Sequence, residues 1–243
     1  RDKLVTGVQT CALPICTNQM VMFSLSALPM QKVIAYAEQF LSDAPYNIFR
    51  AHTRVTPDIP KAKQASYRRH THQTHVMIGG RAYPIGHEKQ LALYLLNNIL
   101  GGGSMNSRLN MSLREQRGLV YTIESTYSPL SDCGYWSIYF ASEPQNAEEC
   151  EQLVRQELKK LAETRISSYA LKKALRQLHG QMAIAAQNQE NVALRMAKLM
   201  LYTNQAPAWE DTFAEIERLT PDILSQTAGE IFGNNNLFVL KYE

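Results

Sequence analysis

Arg114 and Tyr121 are the residues of this chain best suited to chemistry, seven positions apart across a turn at Gly118. A guanidinium is a rigid fork of N–H donors, and a phenol offers one directional hydroxyl. Aimed together at a peptide carbonyl, they would stabilise negative charge growing on its oxygen, a role in which losing one donor costs about 10²–10³ in rate. A plainer arrangement fits the same spacing. Arg114 would pair with a surface carboxylate, Glu115 or Glu124, and Tyr121 would pack in its strand alongside Ile123. Spacing leaves both open.

Other residues with chemical potential lead to less. His70, His72 and His75 fall on an expected strand, where His70 and His72 share a face and His75 takes the other. No carboxylate lies among them to complete a metal site. His87-Glu88 begins like HExxH, but Leu91 stands where the second histidine belongs, and the inverted form HxxEH occurs nowhere in the chain. No metal site is expected from these residues. The run Gly101–Gly103 lacks the lysine of a phosphate loop and follows a helix rather than a strand. It reads as a tight helix-to-helix turn that uses the positive φ open to glycine.

Composition narrows the classes. Hydrophobic residues make up 45% and charged ones 19%, ordinary for a chain that buries a core. A formal charge of +3 with no basic track argues against nucleic acid, and Arg68-Arg69-His70 is the densest basic spot. No stretch reaches the ~20 apolar residues of a membrane span. Cys11, Cys16, Cys133 and Cys150 lack CxxC pairing and read as free thiols, which favours a cytoplasmic setting. The run Val5–Ile15 matches a common sequencing-adaptor oligonucleotide translated in frame. Residues 1–15 are therefore expected to be an artefact, with the true N-terminus, any signal and any upstream domain lost.

The positioning elements follow from periodicity. Met20–Ser26 is rich in β-formers and reads as a strand, and Pro29 opens a helix with Val33, Ala37, Phe40 and Leu41 on one side. Residues 46–65, with Pro57 and Pro60, read as a linker. From Ser66 the pattern suggests an extended pair over 66–80 and a helix carrying Leu91, Leu95 and Ile99. A second helix over about 105–116, closed by Gly118, and a hairpin of strands 119–128 and 134–142 come next. Helical stripes through Leu158, Leu175, Leu199 and Phe213 follow, then a start at Thr220-Pro221 and a last strand over Leu237–Leu240. Strands, then helices, then one strand predict an α+β fold, an antiparallel sheet with helices packed on one face.

The segments GGGSMNSRL (101–109) and LREQRGLVY (113–121) occur in a chain laid out this way. In combination they resemble the second domain of the pitrilysin/insulinase family of zinc metallopeptidases, to which the mitochondrial processing peptidases belong. The likeness is to the short bacterial members, which have two such domains per chain. It implies that 16–45 is a remnant of the preceding peptidase domain and 66–243 the peptidase C-terminal domain. It also implies that Arg114 and Tyr121 match the family's substrate-contacting arginine and tyrosine. The family's zinc ligands and glutamate base would all precede Cys16, so the resemblance implies zinc in the intact parent protein and none held by this chain. The implied partners are a peptide substrate and a zinc-bearing domain or subunit of the same family, in a homo- or heterodimer. The implied function is the substrate-binding half of an endopeptidase, inactive alone. A non-catalytic chamber-forming subunit and a peptide-binding module acting through its sheet edge are the alternatives.

Overall fold

The structure is a computed structural model that describes residues 20–42, 58, 62–69, 71–205, 207–233 and 237–243. The expected artefact at 1–15, most of the expected linker, His70, Cys11 and Cys16 lie outside the described residues. The described residues form two compact units, one drawn from 55–183 and 209–243, the other from 1–54 and 184–208.

The larger unit is built on a five-stranded sheet in the order β1-β5-β2-β4-β3. Its strands are β1 (Gln64–Tyr67), β2 (Thr74–Ala82), β3 (Val120–Pro129), β4 (Gly134–Ser142) and β5 (Phe238–Tyr242). The β3–β4 hairpin forms as expected, and β2 pairs antiparallel with both β4 and β5. β1 and β2 do not form the extended pair suggested by the sequence. The final strand β5 inserts between them and runs parallel to β1, the one parallel edge of the sheet. β2 starts only at Thr74, which leaves His72 outside the strand.

Alternate residues of the central strands meet helices. Val76, Ile78, Trp136, Ile138, Phe140 and Ile123 are nearly or wholly inaccessible, whereas Met77, Tyr135 and Glu124 on the other face are exposed. This period of two is the mark of a sheet covered on one side. The covering helices of this unit are α2 (Gln90–Gly101), α3 (Ala147–Glu163), α4 (Ser168–Ala186), α6 (Trp209–Glu217) and α7 (Pro221–Phe232). α7 begins as expected, with Thr220 accepting a hydrogen bond from Ile223 N at 3.3 Å. Trp136 and Phe232 meet edge to face, their ring centroids 5.0 Å apart, and lock α7 onto the sheet.

α2 descends onto β3 unusually closely. A Cβ on Gly101 would lie 2.8 Å from Ser125 Cβ and 2.9 Å from its backbone nitrogen, so only glycine fits there. Asn97 completes the joint: its Nδ2 donates to Ser125 O at 3.0 Å, and Ser125 Oγ donates back to Asn97 Oδ1 at 2.6 Å. The turn that follows does not use positive φ, which among the described glycines occurs only at Gly86 and Gly118. The glycine run therefore serves close approach rather than left-handed backbone.

The smaller unit contains α1 (Met30–Leu41) and α5 (Gln189–Thr203). Pro29 precedes α1 as expected, yet no residue of α1 is buried, and Met30, Ile34 and Phe40 are exposed. Met20–Ser26 is not a strand. A β-strand needs a neighbour for its peptide groups, and no described strand pairs with this segment.

β5 is also tied down electrostatically. Glu151 on α3 accepts from Lys241 Nζ at 2.6 Å and from Arg155 at 2.8 Å. Burial pushes its carboxyl up, but the hydrogen bonds from Lys241 and Arg155 outweigh it and hold the group below the ordinary 4.5. A depressed carboxyl stabilises the fold above its unfolded value and loses that contribution as pH falls through the folded one. Glu151→Gln should therefore lower the urea midpoint most above pH 4.5 and progressively less on acidification. A deficit that stays constant from pH 7 to pH 3 would contradict this account of β5.

Candidate functional site

Arg114 lies in a helical stretch that departs from the α form. After two helical residues, 108–109, the chain widens into a π-helical segment, Asn110–Glu115, rather than the expected uniform helix over 105–116. Gln116 N reaches back to Met111 O at 3.1 Å, an i→i−5 bond. Leu109 and Leu113 are wholly buried, which fixes the segment's inner side and leaves Arg114 at the margin. Gly118, at φ +63°, then reverses the chain: its N–H bonds Arg114 O at 2.8 Å, and Leu119 N bonds Leu113 O at 2.9 Å. This is the left-handed stop expected from the sequence.

Tyr121 sits on a second irregularity. Val120 pairs with Ser142 and Thr122 with Ala141, so one extra residue of β3 is accommodated between them. That extra residue is Tyr121. Without it, strict alternation would place Tyr121 on the covered face with Ile123. With it, Val120 turns inward at 5% exposure while Tyr121 turns out at 81%. Packing alongside Ile123, the plain arrangement, is thereby ruled out. Re-aiming one side chain is a recognised use of a β-bulge.

The two irregularities bring the expected pair together. Arg114 Cζ lies 5.8 Å from the centroid of the Tyr121 ring, within cation–π range. Arg114 also approaches Glu115, but at 3.9 Å between Nε and Oε1, too long for a hydrogen bond and between two exposed side chains. Glu124 makes no pair with it. The guanidinium thus keeps its donors available beside an exposed phenol, an arrangement able to bind a carbonyl or another acceptor.

The histidines are not assembled. His75 Nδ1 is hydrogen-bonded to Tyr139 OH at 2.8 Å. His87 stacks on Tyr83 at 4.1 Å, and its Nδ1 accepts from Lys89 N at 3.1 Å. His72 is exposed outside the strand. Among the described residues no three of histidine, cysteine, aspartate and glutamate converge on one point. This donor set does not fit zinc. Cys150 is buried on α3, and burial raises its thiol pKa; Cys133 is likewise a free thiol. Among the described residues no helix is long and apolar enough to cross a membrane.

Residues 17–178 match the family described as the peptidase M16 inactive domain. The chain belongs to that family. This is the pitrilysin/insulinase relationship anticipated from Asn97–Tyr121. A protein of Streptomyces coelicolor described as an uncharacterized zinc protease is 31% identical over 165 residues, covering 68% of this chain and 36% of that protein. A Bacillus subtilis protein with the same description is 26% identical over the same length, covering 68% and 40%. The chain thus spans well under half the length of these curated relatives. Among solved structures, the M16 inactive domain from Pseudomonas fluorescens superimposes with a TM-score of 0.78 at 20% identity, covering 88% of this chain and 51% of that one. A Helicobacter pylori protease gives a TM-score of 0.78 at 20% identity, covering 89% and 53%. At such identity these two likenesses establish the α+β fold.

The sequence pointed to Arg114 and Tyr121 but missed the bulge and the π-helical segment that aim them. A residue as exposed as Tyr121 contributes little to folding. Tyr121→Ala should change the unfolding free energy by less than about 1 kcal/mol, the scale of an exposed cation–π contact. A loss above about 2 kcal/mol in urea titration would show that Tyr121 is a packing residue instead.

Proposed function

We propose that this chain is the substrate-binding, C-terminal half of a zinc-dependent endopeptidase subunit, in which Arg114 and Tyr121 hold the peptide backbone. The observation that carries the reading is the outward-turned Tyr121 beside a guanidinium with free donors, on a chain of the M16 inactive-domain family. In this role Arg114 donates to a backbone carbonyl and restrains its orientation. The Tyr121 hydroxyl supplies a second donor that can strengthen as charge develops on the carbonyl oxygen. Neither group needs to transfer a proton. Both act by position and charge, so their effect falls on the reacting geometry more than on ground-state affinity.

The metal belongs to a part of the parent protein outside these residues. Support comes from the relatives named as zinc proteases, of which this chain covers 36% and 40%, and from a donor set here that does not suit zinc. The chain alone is accordingly inactive, and its partner is a zinc-bearing domain or subunit of the same family, in a homo- or heterodimer. The division proposed is a preceding-domain remnant over 16–45, a linker over 46–65 and the C-terminal domain over 66–243. The exposed apolar residues Met20, Met22, Leu25, Ile34 and Phe40 support a missing neighbour for the first of these.

A second reading has one observation in its favour. β3 is an edge strand of the sheet, available for pairing with an extended peptide without catalysis. Arg114→Ala separates the two. In the zinc-bearing whole protein it should lower kcat/KM for a peptide by about 10²-fold or more, with the circular dichroism spectrum unchanged. An unchanged kcat/KM would favour the edge-binding module or a purely chamber-forming subunit. Stoichiometric zinc in the purified 243-residue chain, with proteolysis it performs unaided, would overturn the proposal.

A further inference from the structure

A cavity of about 350 Å³ opens on the helical side of the larger unit, between the end of α2, the loop that follows it, and the start of α4. Its size suits a small ligand. Ile99, Ile166, Ala170 and Ala174 give it an apolar wall. Arg108, Arg165 and Lys173 line it as well, and no carboxylate does.

The state of those three cations matters most. Arg108 uses its Nε to bind Glu157 at 2.9 Å, and Arg165 uses its Nε to bind Asp222 at 2.7 Å. In each case the terminal amino groups have no partner among the described residues. Lys173 has no partner among them either. Glu157 is shared with Lys160 at 2.7 Å, so its charge is divided between two cations, and three cations but no carboxylate line the cavity. The buried Glu157 holds Arg108 by one edge, the exposed Asp222 pairs with Arg165 at the rim, and both arginines leave their other edge to a ligand. That is how a guanidinium is oriented for a planar anion.

A third chemistry completes the cavity. Gln177 Nε2 bonds Asn98 Oδ1 at 3.2 Å and Ser104 Oγ at 2.9 Å, while its Oε1 accepts from Asn106 at 2.9 Å. Asn98 in turn donates to Gln181 at 2.7 Å. The amides hold one another in place, and Asn106 retains a carbonyl oxygen without a partner among the described residues. That oxygen can accept from an N–H beside the ligand's anionic group.

We propose that this cavity binds a small organic carboxylate with a branched aliphatic body, its anion among Arg108, Arg165 and Lys173. Two sources share that chemistry: the C-terminal residue of a peptide, which also carries an N–H for Asn106, and a free branched-chain acid, which does not. The site is separate from Arg114 and Tyr121, so its failure leaves the peptidase reading untouched.

Calorimetric titration of the full chain with N-acetyl-leucine, N-acetyl-leucine amide, 4-methylpentanoate and inorganic phosphate tests this. Saturable binding of N-acetyl-leucine is expected, about tenfold or more tighter than its neutral amide, as for loss of one charged hydrogen-bond pair. Lys173→Met should weaken it by a similar factor without shifting the thermal midpoint by more than a few degrees. Tighter binding of N-acetyl-leucine than of 4-methylpentanoate identifies the peptide terminus, and the reverse identifies the free acid. No saturable binding by either acid, equal affinity for the neutral amide, or phosphate binding as tightly as both acids would overturn the proposal.

Discussion

One extra residue in β3 governs what this sheet can present to a ligand. A side chain in a strand points to one face or the other by parity alone, so a single insertion exchanges the faces of everything on one side of it. Here the exchange is confined to Val120 and Tyr121. Val120 goes to the core, and Tyr121 emerges beside the Arg114 guanidinium. The core accepts the exchange because the side chain it takes in, Val120, is apolar and buried to 5% exposure.

The bulge is held from two directions. On one side, Gly101 and the reciprocal Asn97–Ser125 hydrogen bonds fasten α2 to the middle of β3, below the irregularity. On the other, the buried Leu109 and Leu113 anchor the π-helical segment, and Gly118 turns it directly into the strand. The path from Gly101 to Tyr121 is therefore a closed loop pinned at both ends. The same loop borders the cationic cavity through Asn106, Ser107 and Arg108, so one segment faces two different surfaces of the unit.

Much of this was legible in the residues. The α+β class, the β3–β4 hairpin, the Thr220 cap, the left-handed Gly118 and the pairing of Arg114 with Tyr121 all follow from local pattern or family likeness. What escaped depends on distant contacts. β5 lodges between β1 and β2 because of long-range pairing that no local period reveals. Met20–Ser26 has strand-forming residues but no described strand to pair with. The π-helical widening is set by where Leu113 and Leu119 must meet, and the bulge by the register of β4. The sequence Val120-Tyr121-Thr122-Ile123 is an unbroken β-forming run, and nothing in it marks which residue is the extra one. The cavity cations escaped for a similar reason: Arg108 precedes the π-helical segment, Arg165 lies in the loop after α3, and Lys173 is on α4.

In the proposed function, Arg114 and Tyr121 form a single gripping unit, brought together by backbone irregularity, for a peptide carbonyl. A double-mutant cycle in the zinc-bearing whole protein tests that directly, with kcat/KM measured for wild type, Arg114→Ala, Tyr121→Phe and the double variant. Two donors serving one carbonyl should show strong coupling, with the double variant within about threefold of the worse single one. Strictly multiplicative losses, or single variants indistinguishable from wild type, would contradict it.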